Sequence, residues 1–163
     1  MKRFLAFTLI SLLCITVLGC SNSISEKTNF YYCTAEYQYG SHASVIVSEA
    51  RDISGHEGEL PYLISLYLAG PSDKNLESPF PSNIKLLSVR TEDSHVIIEL
   101  SYLGQQLSDA EYILACACLT LSTIEFTDAQ QVTVISGNKT ITLDQNDLLL
   151  YDAVTRTAEE AFE

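Results

Sequence analysis

Apolar and polar residues alternate along NFYYCTAEYQYG, from Asn29 to Gly40, and again more weakly from Ser44 to Ile53. Alternation at period two predicts strands, each with one face toward a core. The period then changes. Leu63, Ile64, Tyr67 and Leu68 recur at helical spacing from Leu60 onward, Pro61 suits a first turn, and Gly70-Pro71 stops the run, which predicts a short helix. Residues 72–83 hold Pro79 and Pro81 and show no period, so they read as a long surface connection. Two strands follow, IKLLSVRT from Ile84 and HVIIELSYL from His95, joined by a turn at Glu92-Asp93-Ser94.

The second helix carries the clearest signals. Ser108 stands as N-cap with Glu111 three residues on, a capping box, and Leu107 and Tyr112 occupy the places of a hydrophobic staple. From there Ala110, Ile113, Leu114, Ala117, Leu121 and Ile124 fall on one face, the expected core face. Steps of about 100° per residue set Tyr112, Ala115, Leu119, Ser122 and Thr123 on the opposite side. No charge lies between Glu111 and Glu125. An uncharged back on an acidic protein is expected to be an interaction surface, centred on Tyr112, Leu119, Ser122 and Thr123, unless the LLLY segment (Leu148 to Tyr151) folds over it. QQVTVIS and KTITL then flank Gly137-Asn138, a tight hairpin turn. The elements predict an α+β fold, a small antiparallel or mixed sheet with two helices packed on one face.

The N-terminus has a different pattern. Met1, Lys2 and Arg3 precede a largely apolar run from Phe4 to Leu18. As a helix at about 1.5 Å per residue the run reaches only ~22 Å, short of the roughly 30 Å hydrocarbon core. A basic start, a short apolar run and a small residue at its end describe a secretory signal rather than a span. Val17-Leu18-Gly19-Cys20 resembles the bacterial lipobox, with Leu18 bulkier than that pattern usually has. The resemblance implies cleavage between Gly19 and Cys20 and a diacylglyceryl thioether on Cys20; an ordinary secretory signal would leave Cys20 a plain residue. The expected organisation is a signal peptide over 1–19, a lipidated flexible tether over 20–28, one domain over 29–151 and an acidic tail over 152–163.

Charge sharpens the partner classes. The whole chain carries a formal net charge of −12, which becomes about −14 once Lys2 and Arg3 are removed. That balance argues against nucleic acid, whose binding rests on cationic contacts to phosphate. It argues equally against docking on anionic lipid, leaving membrane attachment to the acyl chains.

With strand, helix, hairpin, helix and strand in order, LYLAGPSDKNLESPFPSNIKLLSVRTEDSHVIIELS resembles the GerMN domain. The shared features are the helix end Leu68 to Pro71, the Pro-rich loop at Pro79 to Pro81, and the strand Lys85 to Val89. They continue through Glu99-Leu100-Ser101, the helix with LTLSTIEF, and Val132 and Val134 before Gly137. The resemblance spans Phe30 to Leu143. It departs at Glu99, where the family has Asp, in the turn after Arg90, which lacks a Gly, and near Gly104, where a Gly-Gly is missing. It implies a non-enzymatic protein-interaction module of a sporulation or germination lipoprotein, on the outer face of the cytoplasmic membrane, related to ring-building modules. Its implied partners are the membrane through Cys20 and a protein partner or another copy of itself.

Candidate chemistry is sparse. Cys116 and Cys118, two apart on a helix, point about 200° from each other and cannot share one ion. Cys33 shares a strand face with Tyr31, Ala35 and Tyr37; where that face meets the second helix, Cys33 comes near Cys118 and leaves Cys116 free. Sequence alone does not assign a pairing of Cys33 with either. Asp52, His56, Glu57 and Glu59 form an acidic loop expected to be solvated. Asp93-Ser94-His95 lists triad residue types that adjacency in a turn prevents from acting as one. Tyr31, Tyr32, Tyr37 and Tyr39 crowd the first strand, as a strand with one buried and one amphipathic face would, or a protein-binding one. No metal, cofactor or catalytic residue is expected. The alternatives are a cell-wall enzyme or its accessory, which would need converging carboxylates or a His-metal cluster, and a small-ligand-binding lipoprotein.

Overall fold

A computed structural model describes residues 26–35 and 45–148 of the chain. Gly19 and Cys20, with the expected cleavage and lipidation, lie outside the described residues, as does the tail 152–163. The aromatic N-terminal alternation forms β1 (Lys27–Thr34), paired antiparallel with β2 (Ile46–Asp52) so that Lys27 faces Asp52 and Cys33 faces Ile46. The period-3.6 stretch forms α1 (Leu60–Leu68), burying Leu60, Leu63, Ile64 and Tyr67. Gly70 ends it at φ +92, a conformation that costs glycine little, and its N–H bonds back to the Tyr67 carbonyl. The connection expected to be featureless contains β3 (Leu76–Glu77), which pairs with β1 at Cys33 and Thr34. Two residues give no periodicity to read.

A second sheet has the order β4-β5-β6-β7. Its strands are β4 (Leu86–Glu92), β5 (His95–Leu100), β6 (Gln131–Ser136) and β7 (Lys139–Asp144). β4 and β5 close across a two-residue turn in which Asp93 takes φ +54 where a glycine would be unstrained. β6 and β7 close across Gly137-Asn138, with positive φ at Gly137; a Cβ there would run into the Tyr102 ring. β5 and β6 are parallel, so the chain must cross over between them, and α2 (Asp109–Phe126) is that crossover. Its capping box is formed: the Ser108 hydroxyl accepts from the Glu111 N–H, and the Glu111 carboxylate accepts from the Ser108 N–H at 2.8 Å. The fold is α+β, with a three-stranded sheet and a four-stranded mixed sheet.

α2 packs against β1 on one side and against β6, β7 and α1 on others. That corrects the face assignment. Tyr112, Ala115, Leu119, Ser122 and Thr123 lie in the core, with Leu119, Ser122 and Thr123 fully buried, while Ala110 and Ile113 are exposed and Ala117 and Leu121 half-buried. Tyr112, Leu119, Ser122 and Thr123 are therefore not an outer interaction surface. The physical reason is that the helix has no broad solvent face: one flank serves the four-stranded sheet and another serves β1. The missing charges report burial there. Ser122 shows how it works, since its hydroxyl donates to the Cys118 carbonyl at 2.9 Å and accepts from the Tyr31 N–H at 2.9 Å. That N–H lies on the β1 edge that β3 is too short to cover, and a buried N–H without a partner would be costly.

Arg51, together with the Tyr32 hydroxyl that donates to the Tyr67 carbonyl at 3.1 Å, fastens the three-stranded sheet to α1. Arg51 in β2 uses all five guanidinium donors. Nε pairs with Glu49 at 3.1 Å, Nη1 donates to the Tyr32 hydroxyl at 3.3 Å and the Leu66 carbonyl at 3.2 Å, and Nη2 donates to the Gly70 carbonyl at 3.0 Å and Ser72 Oγ at 2.7 Å. Two of these acceptors are carbonyls at the C-terminal end of α1 and just beyond it, where a cation also meets the favourable end of the helix dipole. Glu49 in turn accepts from the backbone N–H groups of Ser72 and Asp73. A lysine offers three donors on a point charge and cannot reproduce this planar fork. Arg51→Lys should lower the unfolding free energy by about 2–3 kcal/mol, several partly buried acceptors losing their donors at once. Chemical denaturation of the variant checks this; an unchanged midpoint would show that the clamp is dispensable.

Candidate functional site

The outward strip of α2 is the residue set expected to be core. Ala110, Ile113, Ala117 and Leu121 succeed one another a turn apart, with Leu114 and Ile124 half-buried along its border. Ile113 is 49% exposed, a large fraction for a β-branched hydrophobe in mid-helix. The strip is uncharged from Glu111 to Glu125, on a chain whose formal net charge is −12. Tyr102 at 69% and Leu87 at 60% are the large hydrophobics more than half exposed among the described residues.

Three thiols lie inside. Cys116 and Cys118 are fully buried and Cys33 is half-buried. Cys33 Sγ stands 4.0 Å from Cys118 Sγ, so the face of β1 that carries Tyr31 and Cys33 does meet α2. On the same face the Tyr31 hydroxyl donates to Glu125 Oε1 at 3.0 Å; burial, with that bond as the second cause, pushes Tyr31 up to about 12. The S–H···S contact lowers Cys33 and raises Cys118, the thiolate forming on the half-exposed sulfur. Burial pushes the Cys116 thiol up to about 12. Tyr67, stacked on Tyr32 with ring centres 4.9 Å apart, is buried beside these thiols, and its hydroxyl has no hydrogen-bond partner among the described residues.

The acidic loop uses its carboxylates internally. Asp52 accepts from the Ser54 N–H and hydroxyl, Glu57 from the Gly55 N–H, and Glu59 meets His56 Nδ1 at 3.1 Å. His56 also stacks on Tyr62. His95 Nε2 contacts Thr133 Oγ1 at 2.8 Å across the parallel strands, away from Ser94 chemistry. Among the described residues no three His, Cys, Asp or Glu side chains converge to hold a metal ion, and no helix is long and apolar enough to cross a membrane. Sequence reasoning missed the Glu49–Arg51 clamp. Its signal was present: opposite charges two apart in a strand share a face.

A family model described as Germane, sporulation and spore germination, matches residues 29–142. Among solved structures, the first GerMN domain of the sporulation protein GerM from Bacillus subtilis is similar at 12% identity, covering 71% of this chain and 86% of that one with a TM-score of 0.54. A candidate lipoprotein from Clostridium perfringens is similar at 18% identity, covering 78% of this chain and 94% of that one, with a TM-score of 0.47. The tandem GerMN domains of the same Bacillus protein give 21% identity over 74% of this chain and 43% of that one, with a TM-score of 0.47. No curated protein matches the chain.

The Cys116 thiol gives a pH test of the core. Its pKa is raised from the usual 9.0 to about 12 on folding, so the stabilisation is fully present below pH 9 and is lost as pH rises toward 12. In that window the unfolded chain has released a proton that the folded one retains, which costs about 1.4 kcal/mol per pH unit for each such group. Cys116→Ala should flatten the alkaline fall in unfolding free energy by about one proton. Denaturation curves at several pH values above 9 measure the slope, and an identical slope in the variant would show that Cys116 ionises freely in the folded state.

Proposed function

The chain belongs to the Germane family of sporulation and spore germination, residues 29–142 carrying the match, and we propose that it is a non-catalytic interaction module held by a lipid on Cys20 at the outer face of the cytoplasmic membrane. The observation that carries this reading is the uncharged outer strip of α2 around Ile113. Its occupant is a folded protein domain with an apolar, uncharged surface of its own. Exposed apolar area depleted of charge is what the centre of a protein interface presents. Nucleic acid and anionic lipid both require cationic contacts, and the strip has none. The reading also draws support from the acidic loop, whose carboxylates are tied to their own backbone rather than aimed into a common space.

The anchor sits on Cys20 and the tether gives the domain reach. Two acyl chains suffice for stable attachment where one is marginal. Cys20→Ala should accumulate as an uncleaved, unlipidated precursor, read by mass and by partitioning into detergent. Normal cleavage with membrane retention in that variant would overturn the lipobox reading.

The interface has its own test. A photo-crosslinking amino acid at position 113 of the membrane-anchored full chain should give one protein adduct of defined mass, identified by peptide sequencing. Ala117→Glu, a half-buried neighbour one turn along the strip, should remove that adduct while leaving the far-ultraviolet circular dichroism unchanged. Adducts to lipid alone, or a protein adduct indifferent to Ala117→Glu, would place the interface elsewhere.

A further inference from the structure

The pair Cys33 and Cys118 goes beyond a fortunate contact in the core. Their sulfurs are 4.0 Å apart, and a disulfide needs about 2.05 Å, a difference that side-chain rotation can close when the two backbones already face each other. The two residues sit 85 apart in sequence, on different elements with no backbone ladder between them. Neighbouring bonds hold the same two elements in register: the Tyr31 N–H to Ser122 Oγ at 2.9 Å and the Tyr31 hydroxyl to Glu125 at 3.0 Å. Accessibility divides the roles. Cys33 is half-buried, whereas Cys118 is fully buried. An exposed attacking thiol beside a sheltered resolving thiol is the arrangement that exchange chemistry requires. Cys116, two residues away, is fully buried with its side chain against Tyr112 and makes no contact with Cys33 sulfur.

We propose that Cys33 and Cys118 are a modification site, oxidised by an external dithiol-disulfide donor to a single intramolecular disulfide that fastens β1 to α2, with Cys116 left as a free thiol. The chemistry balances without any further reagent. The Cys33 thiolate attacks one sulfur of the donor disulfide, whose S–S bond breaks and whose other sulfur leaves as a thiolate. The Cys118 sulfur, giving up its proton to solvent, then attacks Cys33 in the mixed disulfide and expels the donor's second thiol. Two protein thiols lose two electrons and one donor disulfide gains them. The pairing is consistent with a site outside the cytoplasm, where disulfides persist, but it rests on the geometry of the core and not on the proposed function.

The test uses the full chain, purified in detergent and treated with oxidised or reduced glutathione. A Cys116→Ala background removes the one ambiguity in peptide mapping, since Cys116 and Cys118 fall in the same peptide. Oxidation should produce a peptide linking Cys33 to Cys118 and raise Tm by about 10 °C or more, as expected for closing so long a loop. Reductant should reverse both changes. Cys33→Ser should abolish the oxidation-dependent rise, and so should Cys118→Ala; the unsubstituted chain, compared oxidised against reduced, supplies the same readout should either variant fold poorly. A glutathione adduct that stops at Cys33, the absence of a Cys33–Cys118 peptide from the oxidised Cys116→Ala chain, or an oxidised chain with the Tm of the reduced one would each overturn the proposal.

Discussion

Among the described residues no backbone hydrogen-bond ladder joins the two sheets, so what holds them together is supplied by side chains. That duty falls on α2. One flank of the helix is spent on β6 and β7, where the Tyr112 hydroxyl reaches the Val134 carbonyl at 3.4 Å. Another is spent on β1, through Cys118, Ser122 and Glu125. Because both flanks are buried, a charged side chain at Leu119 or Thr120 would have no solvent to reach, and burying an unpaired charge is prohibitively costly. The absence of charge over the thirteen positions from Tyr112 to Ile124 follows from that placement. It leaves one narrow strip with freedom, and there the residues remain apolar although burial does not require it.

α1 completes the arrangement by a different device. Its core face is apolar, but its C-terminal carbonyls are held by Arg51 from the neighbouring strand, and the loop beyond it is held by Glu49. The helix is short, nine residues, and helices of that length are marginal without tertiary support. A polar clamp that satisfies orphan carbonyls therefore matters more here than it would at the end of a long helix. Phe30 lies under the guanidinium, 5.3 Å from it, so the charge is shielded on one side and fully paired in its own plane.

Much of this was legible in the residues. The capping box at Ser108 and Glu111, the Gly70-Pro71 stop and the two-residue turns at Asp93-Ser94 and Gly137-Asn138 all act through neighbours within a few positions, and local chemistry reads directly from sequence. The face of α2 was misread because amphipathicity presumes one wet side. A helix between two sheets has apolar residues nearly all round, and the stripe then chosen by spacing was the outer one. β3 was invisible because two residues carry no period. The Arg51 clamp was missed because four of its five acceptors are backbone carbonyls or hydroxyls contributed by residues fifteen to twenty-one positions away. The thiol pair was approached correctly because strand alternation placed Cys33 on the helix-facing side, yet only three dimensions distinguish Cys118 from Cys116.

The bond from Tyr31 to Ser122 spans 91 positions, and it sets an order on the birth of the molecule. Synthesis runs from the N-terminus, so the strand richest in aromatic side chains emerges before its closing partner, which follows 91 positions later. β2 can pair with it soon, but the opposite edge, with the Tyr31 N–H open and Phe30 not yet against Phe126, must wait until α2 has been made and coiled. An unpaired edge beside exposed aromatics is the species most prone to join a neighbouring chain. The interval between the first strand and the crossover helix is thus the window in which this edge lies open to a neighbouring chain.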